Sequence, residues 1–473
     1  MASLRRSIVY SSATRYSMRL IGLFSSMVIA RLLTPEEIGT FAIASAVVMI
    51  MSEFRILGAG SYLVREEELT KEKISSAMGL TMLLSWGLGG FIWVVAGFMA
   101  EFYGLPPIEI IFKILSVSFF LAPMISIPTA LMTREFRFGD MFIIKIVTTI
   151  VNLISTITLI FLDYGYYALA WGYTLAVLSE FLMVLFFMPK SMVWLPTLGR
   201  FKEIAAFGVY ASLANLFNRG MVAAPDMIIG KIGTPTQVGM FSRGLGFIEF
   251  VSKTLLMGVK PVVLPYLADV KRSGGNTNQA YIQASIMLGG LVLPVLAVAS
   301  VVSLPAILLF FGHQWVAAAP YASIIAIWAM LRTIHWFSSD LLISQEGEKV
   351  LAIKEGGAFS VLFIAIIVAF PFGLNAVAIS FVFSGLVDLI LTTLVLKQLV
   401  KLNVIEFMFA WRGTAILTMV CGLVAYGIQQ AVLSAGASNF WVLGVVSIFL
   451  PMVWIVGLKL TRHPLWVEVR RLL

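Results

Sequence analysis

"MVIARLLTPEEIGTF", Met27 to Phe41, returns as "MIIGKIGTPTQVGMF", Met227 to Phe241, two hundred residues further along the chain. Met, Ile, Thr, Pro, Gly and Phe coincide between the copies, and several other positions differ conservatively. A single Thr-Pro loop start is ordinary turn chemistry. A second pair removes that explanation: "GYYALAWGYTLAVLSE" (Gly165 to Glu180) matches "GLNAVAISFVFSGLVD" (Gly373 to Asp388), sharing the Gly, two Ala positions and an acid at an offset of 208. Two independent matches at nearly equal offsets indicate a duplicated chain.

What is duplicated follows from composition. Hydrophobic residues make up 60% of the chain and charged residues 12%, about half the charge of a soluble domain. Apolar runs long enough to cross a bilayer, about 20 residues of helix each, recur from 11–33 to 439–460. They number fourteen, the second at 38–64, the eighth at 238–267, the ninth at 280–311 and the tenth at 318–344. The expected fold is an all-α polytopic membrane protein with about 14 transmembrane helices. Each copy of the repeat contains six of them. An even number makes both copies enter from the same side, which is the parallel-repeat plan of a transporter. Residues 1–200 then form an N-terminal six-helix lobe and 201–402 a C-terminal one, with two further helices and a cytoplasmic tail in 403–473. Substrate is expected to pass between the lobes.

The polar stretches "REEELTKEK" (Arg65 to Lys73) and "DVKRSGGNTNQ" (Asp269 to Gln279) are too short to fold as separate domains. The first apolar segment carries Arg15, Arg19 and Arg31 with no small-residue cleavage pattern after it, so it reads as a retained helix. The net charge of +9 needs no nucleic acid. Alternate connections hold nearly all the loop cations, among them Arg65, Lys71, Lys73, Arg134, Arg137, Lys190, Arg200, Lys349 and Lys354. The other set holds essentially Lys231. The positive-inside rule therefore predicts both termini in the cytoplasm, and so clean a parity supports the helix count. The lone Cys421 excludes an intramolecular disulfide. His313, His335 and His463 are scattered, so neither a metal site nor a cofactor is expected.

Charges inside the spans point to the function. An ionised side chain at mid-helix costs about 2.5–3.5 kcal/mol on insertion scales unless it reaches an interface or a wet cavity. The first helix carries Arg15, Arg19 and Ser26, and the seventh carries Asn215, Arg219 and Asp226 at offsets of 200. Spacings of four and seven place each trio on one helical face. The eighth adds Glu249, Lys253 and Lys260 within one stripe, with Arg243 a quarter turn away, and the second has Glu53 and Arg55. Arg19, Arg55, Arg219, Lys253, Arg243 and Lys260 are thus the candidate lining of a cationic cleft, and Glu53, Asn215, Asp226 and Glu249 its modulating groups. Such a cleft suits an anion, because Arg holds phosphate oxygens in pairs and Lys follows them as a mobile point charge. Snorkelling to an interface is an alternative for Arg15, Lys260 and Arg243, and Glu249 with Lys253 also reads as a neutralising pair. Arg332, His335 and Asp340 in the tenth run are candidates for ion coupling, although their spacing does not set all three on one face. Glu180 and Asp388, equivalent through the repeat, are expected to pair across lobes or with cytoplasmic cations. Lys113 and Lys145 lie near helix ends.

With "ARLLTPEEIGTFAIA" after an Arg-bearing first helix, "REFRFGDMF" after the fourth and "VVLPYLADVKRSGG" closing the eighth, the chain resembles the Wzx-type flippases. These belong to the polysaccharide transporter family of the multidrug, oligosaccharidyl-lipid and polysaccharide exporter superfamily. The resemblance implies a bacterial inner-membrane protein moving undecaprenyl-diphosphate-linked oligosaccharide to the periplasmic leaflet for exopolysaccharide, capsule or O-antigen synthesis. Other membrane lipids and the polymerase and export machinery are the implied partners. In such proteins helices one, two, seven and eight line the cavity, and Arg19, Arg55, Arg219 and Lys253 stand on those helices. A drug or cation antiporter, a lipid II flippase and a membrane-embedded polymerase are the alternatives. An antiporter calls for an acidic cleft, and a polymerase for a sizeable outward loop, where the outward connections here are short and almost uncharged. No Walker-type loop is present, so ATP hydrolysis is not expected.

Overall fold

The computed structural model describes residues 2–55, 59–256, 269–270, 272–345 and 347–472. The described residues are mainly helical, with no strand among them. They divide into two compact units, Met1–Gly239 and Met240–Leu473.

The first unit contains α1 (Ala2–Leu32), α2 (Pro35–Phe54), α3 (Ala59–Arg65), α4 (Lys71–Tyr103), α5 (Pro107–Arg134), α6 (Phe138–Phe161), α7 (Tyr167–Phe186) and α8 (Phe201–Ile232). It ends within the first turns of α9 (Pro235–Leu256). Neighbours in sequence pack as antiparallel hairpins, α4 with α5 and α6 with α7, while α8 lies along α2 and α1 along α6. A buried cluster of α3, α4, α5 and α8 side chains, including Leu63, Met78, Ile127, Leu131 and Ile204, forms its core. The connection before α8 is stitched to α4. The Thr197 N–H donates to the Ser75 carbonyl at 3.1 Å and the Arg200 N–H to the Ser76 hydroxyl at 3.3 Å.

The repeated stretch builds the same turn twice. The Thr34 N–H donates to the Glu37 carboxylate at 2.8 Å and the Glu37 N–H to the Thr34 hydroxyl at 3.3 Å. In the second copy Thr234 N–H donates to the Gln237 side-chain oxygen at 3.0 Å and Gln237 N–H to the Thr234 hydroxyl at 3.2 Å. Each is a reciprocal capping box that satisfies otherwise orphaned N–H groups, and Pro35 and Pro235 supply a first helical residue that needs no N–H partner. The two helix starts also cross. A Cβ at Gly39 would lie 1.8 Å from the Pro235 carbonyl oxygen, and one at Gly239 would lie 2.1 Å from the Pro35 carbonyl oxygen. Only glycine permits that approach from both sides.

The second unit continues α9 and adds α10 (Thr277–Val301), α11 (Ser303–Phe311), α12 (Ala318–Ile334), α13 (Ser338–Ser344), α14 (Glu348–Ala369) and α15 (Leu374–Leu399). It closes with α16 (Val404–Ala410), α17 (Arg412–Ser434), α18 (Asn439–Leu460) and α19 (Leu465–Leu472). Here α12 packs on α10 and α15, and α14 on α15. The two helices beyond the repeat are attached through α17 on α10, around Val298, Leu417, Cys421 and Val446. His463 closes the end of this attachment. Its Nδ1 accepts from the Leu465 N–H at 3.2 Å, which leaves the proton on Nε2, 2.9 Å from the Thr414 hydroxyl, and burial holds its pKa down at about 4.

Ten helical segments among the described residues are long and apolar enough to cross a membrane. Their outer faces carry bare hydrophobic side chains, with Val94 80% and Phe186 78% exposed, which is tolerable where hydrocarbon is the solvent. The other expected spans, at α1, α8, α9 and 318–344, are helical over most of their described residues as well. The first three are interrupted by the charged residues named above, and the last breaks into α12 and α13. Two more runs are not continuous helices. In the second, α2 ends at Phe54 and α3 begins at Ala59, with 56–58 outside the described residues, and the ninth breaks at Val302. There Pro305 cannot donate to the preceding turn and its ring clashes with that turn's carbonyl. Lys260, Pro261, Pro265 and the side chain of Arg15 lie outside the described residues.

Candidate functional site

The α2–α8 packing sets the first group of charges. Arg219, near the middle of α8, points its Nε to within 3.4 Å of Glu53 Oε1 at the end of α2. Contact with a carboxylate does not bury it: the Arg219 side chain remains 57% exposed, against 20% for Glu53. Asn215, one turn before, is exposed, and Asp226, two turns on, is half-buried. On α1 the counterpart Arg19 is half-buried. The guanidinium equivalents of the repeat are therefore not in equivalent surroundings.

Arg55 terminates α2 and turns the other way, its guanidinium carbon 5.3 Å from the Phe119 ring centroid. There it lines a cavity of about 720 Å³ within the first unit, walled by residues of α3, α5, α6 and α7. Arg65, Lys145, Glu180, Asn152, Tyr173 and a series of hydroxyls from Ser118 to Thr149 share the lining. Lys145 and Glu180 form an ion pair at 2.6 Å across α6 and α7.

In the second unit Lys253 and Glu249 form the i,i+4 pair that their spacing allows, with the Lys side chain 44% exposed. Arg243 is half-buried between two aromatic rings, 4.7 Å from the Phe311 centroid and 4.6 Å from that of Trp315. Such stacking favours a guanidinium over an ammonium. Arg332 lies over Trp328 at 5.0 Å. His335 follows α12. Its ring is stacked on Phe407, with Nδ1 2.8 Å from the Tyr281 hydroxyl and Nε2 2.8 Å from the Thr393 hydroxyl. Asp340 is buried in α13. The three candidates for ion coupling thus occupy three successive pieces of a broken span.

The repeat-related acids pair with lysines, one of them a cation counted among the connections. Each pairs inside its own unit with a lysine of the preceding helix: Glu180 with Lys145, and Asp388 with Lys354 at 3.0 Å. Lys354, which loop counting places among the cytoplasmic cations, is instead 5% exposed within α14 and also contacts Glu355 at 2.8 Å. One ammonium there faces two carboxylates, and Glu355 Oε2 has no hydrogen-bond partner. The offset of 208 between the acids was the signal for this feature, since adding it to Lys145 lands one residue from Lys354. Among the described residues no group of three His, Cys, Asp or Glu side chains is placed to hold a metal.

Comparison with known proteins gives the arrangement its context. Residues 28–320 match the model of the family described as "Polysaccharide biosynthesis protein". The chain is 21% identical over 388 residues to the teichuronic acid biosynthesis protein TuaB of Bacillus subtilis, covering 79% of this chain and 78% of that one. It is 22% identical to the succinoglycan biosynthesis transport protein ExoT of Rhizobium meliloti over 63% of this chain and 61% of that one. In fold it resembles the lipid II flippase MurJ in an inward closed conformation, with a TM-score of 0.79 at 14% identity, covering 96% of this chain and 98% of that chain. An inward-facing multidrug resistance MATE transporter aligns with a TM-score of 0.59 at 12% identity, covering 84% of this chain and 99% of that one.

Proposed function

Since the chain belongs to the polysaccharide biosynthesis protein family, within the flippases of the multidrug, oligosaccharidyl-lipid and polysaccharide exporter superfamily, we propose that it translocates an undecaprenyl-diphosphate-linked oligosaccharide. The membrane is the bacterial inner membrane, the termini are cytoplasmic, and transport proceeds by alternating exposure of a cationic path to its two sides. The names of TuaB and ExoT place those proteins in teichuronic acid biosynthesis and in succinoglycan biosynthesis transport, which favours this substrate class over drugs or cations. The role is transport rather than synthesis.

The observation that carries this reading is Arg219. It stands well inside α8, yet over half of its side chain is exposed. Facing hydrocarbon, a guanidinium costs about 2.5–3.5 kcal/mol, so its surroundings are water or an anionic ligand. Glu53 weakens its charge without enclosing it. A diphosphate offers more acceptor oxygens than one carboxylate and displaces this contact. Arg19, Lys253, Lys260 and Arg243 complete the cationic path, and the lipid tail stays in hydrocarbon while the sugar follows through the wetted interior.

The test is a deletion strain in which lipid-linked repeat units and surface polysaccharide are measured together. Accumulation of the first with loss of the second is expected, and Arg219→Gln is expected to cut export by about tenfold or more. Unchanged levels of both on deletion overturn the reading. Lysis of the deletion strain, with lipid II accumulating, points to the lipid II substrate instead.

A further inference from the structure

The cavity within the first unit has a composition that packing does not require. Three cations, Arg55, Arg65 and Lys145, and one carboxylate, Glu180, line it together with serine and threonine hydroxyls, an amide and a tyrosine. Lys145 is committed to Glu180 at 2.6 Å. Two of the hydroxyls, Ser126 Oγ and Thr148 Oγ1, are buried and have no hydrogen-bond partner in the protein. A buried hydroxyl left unmade costs about 1–3 kcal/mol. Ser126 on α5 and Thr148 on α6 stand on two walls of the cavity, where a rotation about χ1 turns each hydroxyl toward what enters it.

The rim is held in place. The Arg134 guanidinium donates to the Leu63 and Glu67 carbonyls, each at 3.1 Å, and Lys73 Nζ donates to Glu66 at 2.7 Å and to the Glu68 carbonyl at 3.0 Å. That hydrogen bond holds the Glu66 carboxyl below its usual range. The polar connection from α3 to α4 is thus fastened beside Arg65, on the side of the chain where loop cations gather. Cavities of roughly 300–1,000 Å³ accommodate a small organic ligand.

We propose that this cavity binds a phosphorylated saccharide, with Arg55 and Arg65 at the phosphate and Ser126, Thr148 and Asn152 at the sugar. Arginine matches phosphate oxygens in pairs, and hydroxyl and amide groups match a sugar, whose own hydroxyls both donate and accept. The Tyr173 ring supplies a flat apolar surface for a pyranose face. At the corresponding α14–α15 position the second unit holds Lys354, Glu355 and Asp388 at close quarters. The inference rests on the flippase reading only for the origin of the ligand, either the headgroup of the lipid-linked oligosaccharide or a free sugar phosphate.

The test is calorimetric titration of the purified full-length protein in nanodiscs with three probes: a short-chain prenyl-diphosphate monosaccharide, the matching sugar 1-phosphate, and the unphosphorylated sugar. Binding of either phosphorylated probe, with the neutral sugar at least tenfold weaker, is expected. Binding of both assigns the site to the sugar phosphate itself, and binding of the prenyl form alone assigns it to the lipid headgroup. Arg55→Gln is expected to weaken binding by about tenfold. The Ser126→Ala/Thr148→Val pair, which keeps shape and charge, should weaken it several-fold while thermal stability is held or raised. Absence of binding by all probes, or unchanged binding by both well-folded variants, overturns the proposal. Neither result touches the deletion phenotype, by which the flippase reading stands or falls separately.

Discussion

Lys354 is held between Glu355 Oε1 at 2.8 Å and Asp388 Oδ1 at 3.0 Å with 5% of its side chain exposed. Its counterpart Lys145 contacts Glu180 alone and is 33% exposed. The same duplicated pairing therefore sits in two dielectric settings. Lys354→Met would leave two carboxylates buried without a cation, and breaking a buried pair costs about 3–5 kcal/mol. Lys145→Met should cost less, because its carboxylate borders a cavity that water can enter. Thermal unfolding of the two purified variants checks the order, and adding Glu355→Gln and Asp388→Asn to Lys354→Met should restore part of the loss. Equal stability of the two single variants would mean that Lys354 is not the keystone of its cluster. The acids of this feature were legible, because the repeat aligns them. Their lysines lie 34 and 35 residues earlier on neighbouring helices. Which faces of two helices meet is decided by packing, and spacing along the chain does not record it. Arg219 and Glu53 were likewise each legible as charge within a span, but their contact was not, for the same reason.

Among the elements, the repeated turn shows what duplication preserves. A capping box needs only Thr and a Glu or Gln three residues on, so Glu37 can become Gln237 without losing either hydrogen bond. Gly39 and Gly239 have no such latitude. Each faces the backbone of the other copy's turn, at distances where a methyl group cannot fit beside a carbonyl oxygen. Alanine at either position must push the starts of α2 and α9 apart, and backbone cannot yield as the end of a flexible side chain can. Gly39→Ala and Gly239→Ala are expected to lower folding yield and export severely. Gly90→Ala, on α4 with nothing within 4 Å of its added Cβ, should leave both near wild type and gain about 0.5–1 kcal/mol of helix propensity. Size-exclusion profiles and surface polysaccharide measured for the three variants decide the matter. The conservation of Gly between two copies of one sequence signalled importance, and only the fold supplied the reason. Helix breaks were harder to read, since a proline within an apolar run, such as Pro305, ends a helix at one place and is tolerated as a kink at another, such as Pro123 in α5.

For the molecule as a whole, apolar run length and loop charge carried most of what could be known in advance. Hydrophobic length finds helices whatever their neighbours, which is why the expected all-α polytopic fold agrees with the helices observed. It falters where a span is broken or laden with charge, and those spans, α1, α8, α9 and 318–344, include most of the candidate transport residues. Function and legibility conflict there, because the groups that serve an anion dilute the signal of a membrane helix. The arrangement of cations among the connections offers an independent check on the count. Fusing a cytoplasm-active reporter after Leu472 and within the Arg65–Lys71 connection should give signal at both sites. Reporters at Leu105, between α4 and α5, and at Tyr164, between α6 and α7, should be silent in the cytoplasm and active in a periplasmic assay. Signal on one side at both the Arg65–Lys71 connection and Leu105 would mean that α4 does not cross. The first copy would then hold an odd number of spans, the copies could not both start from the same side, and a path alternately open to the two membrane faces would lose the even-numbered repeat on which it depends.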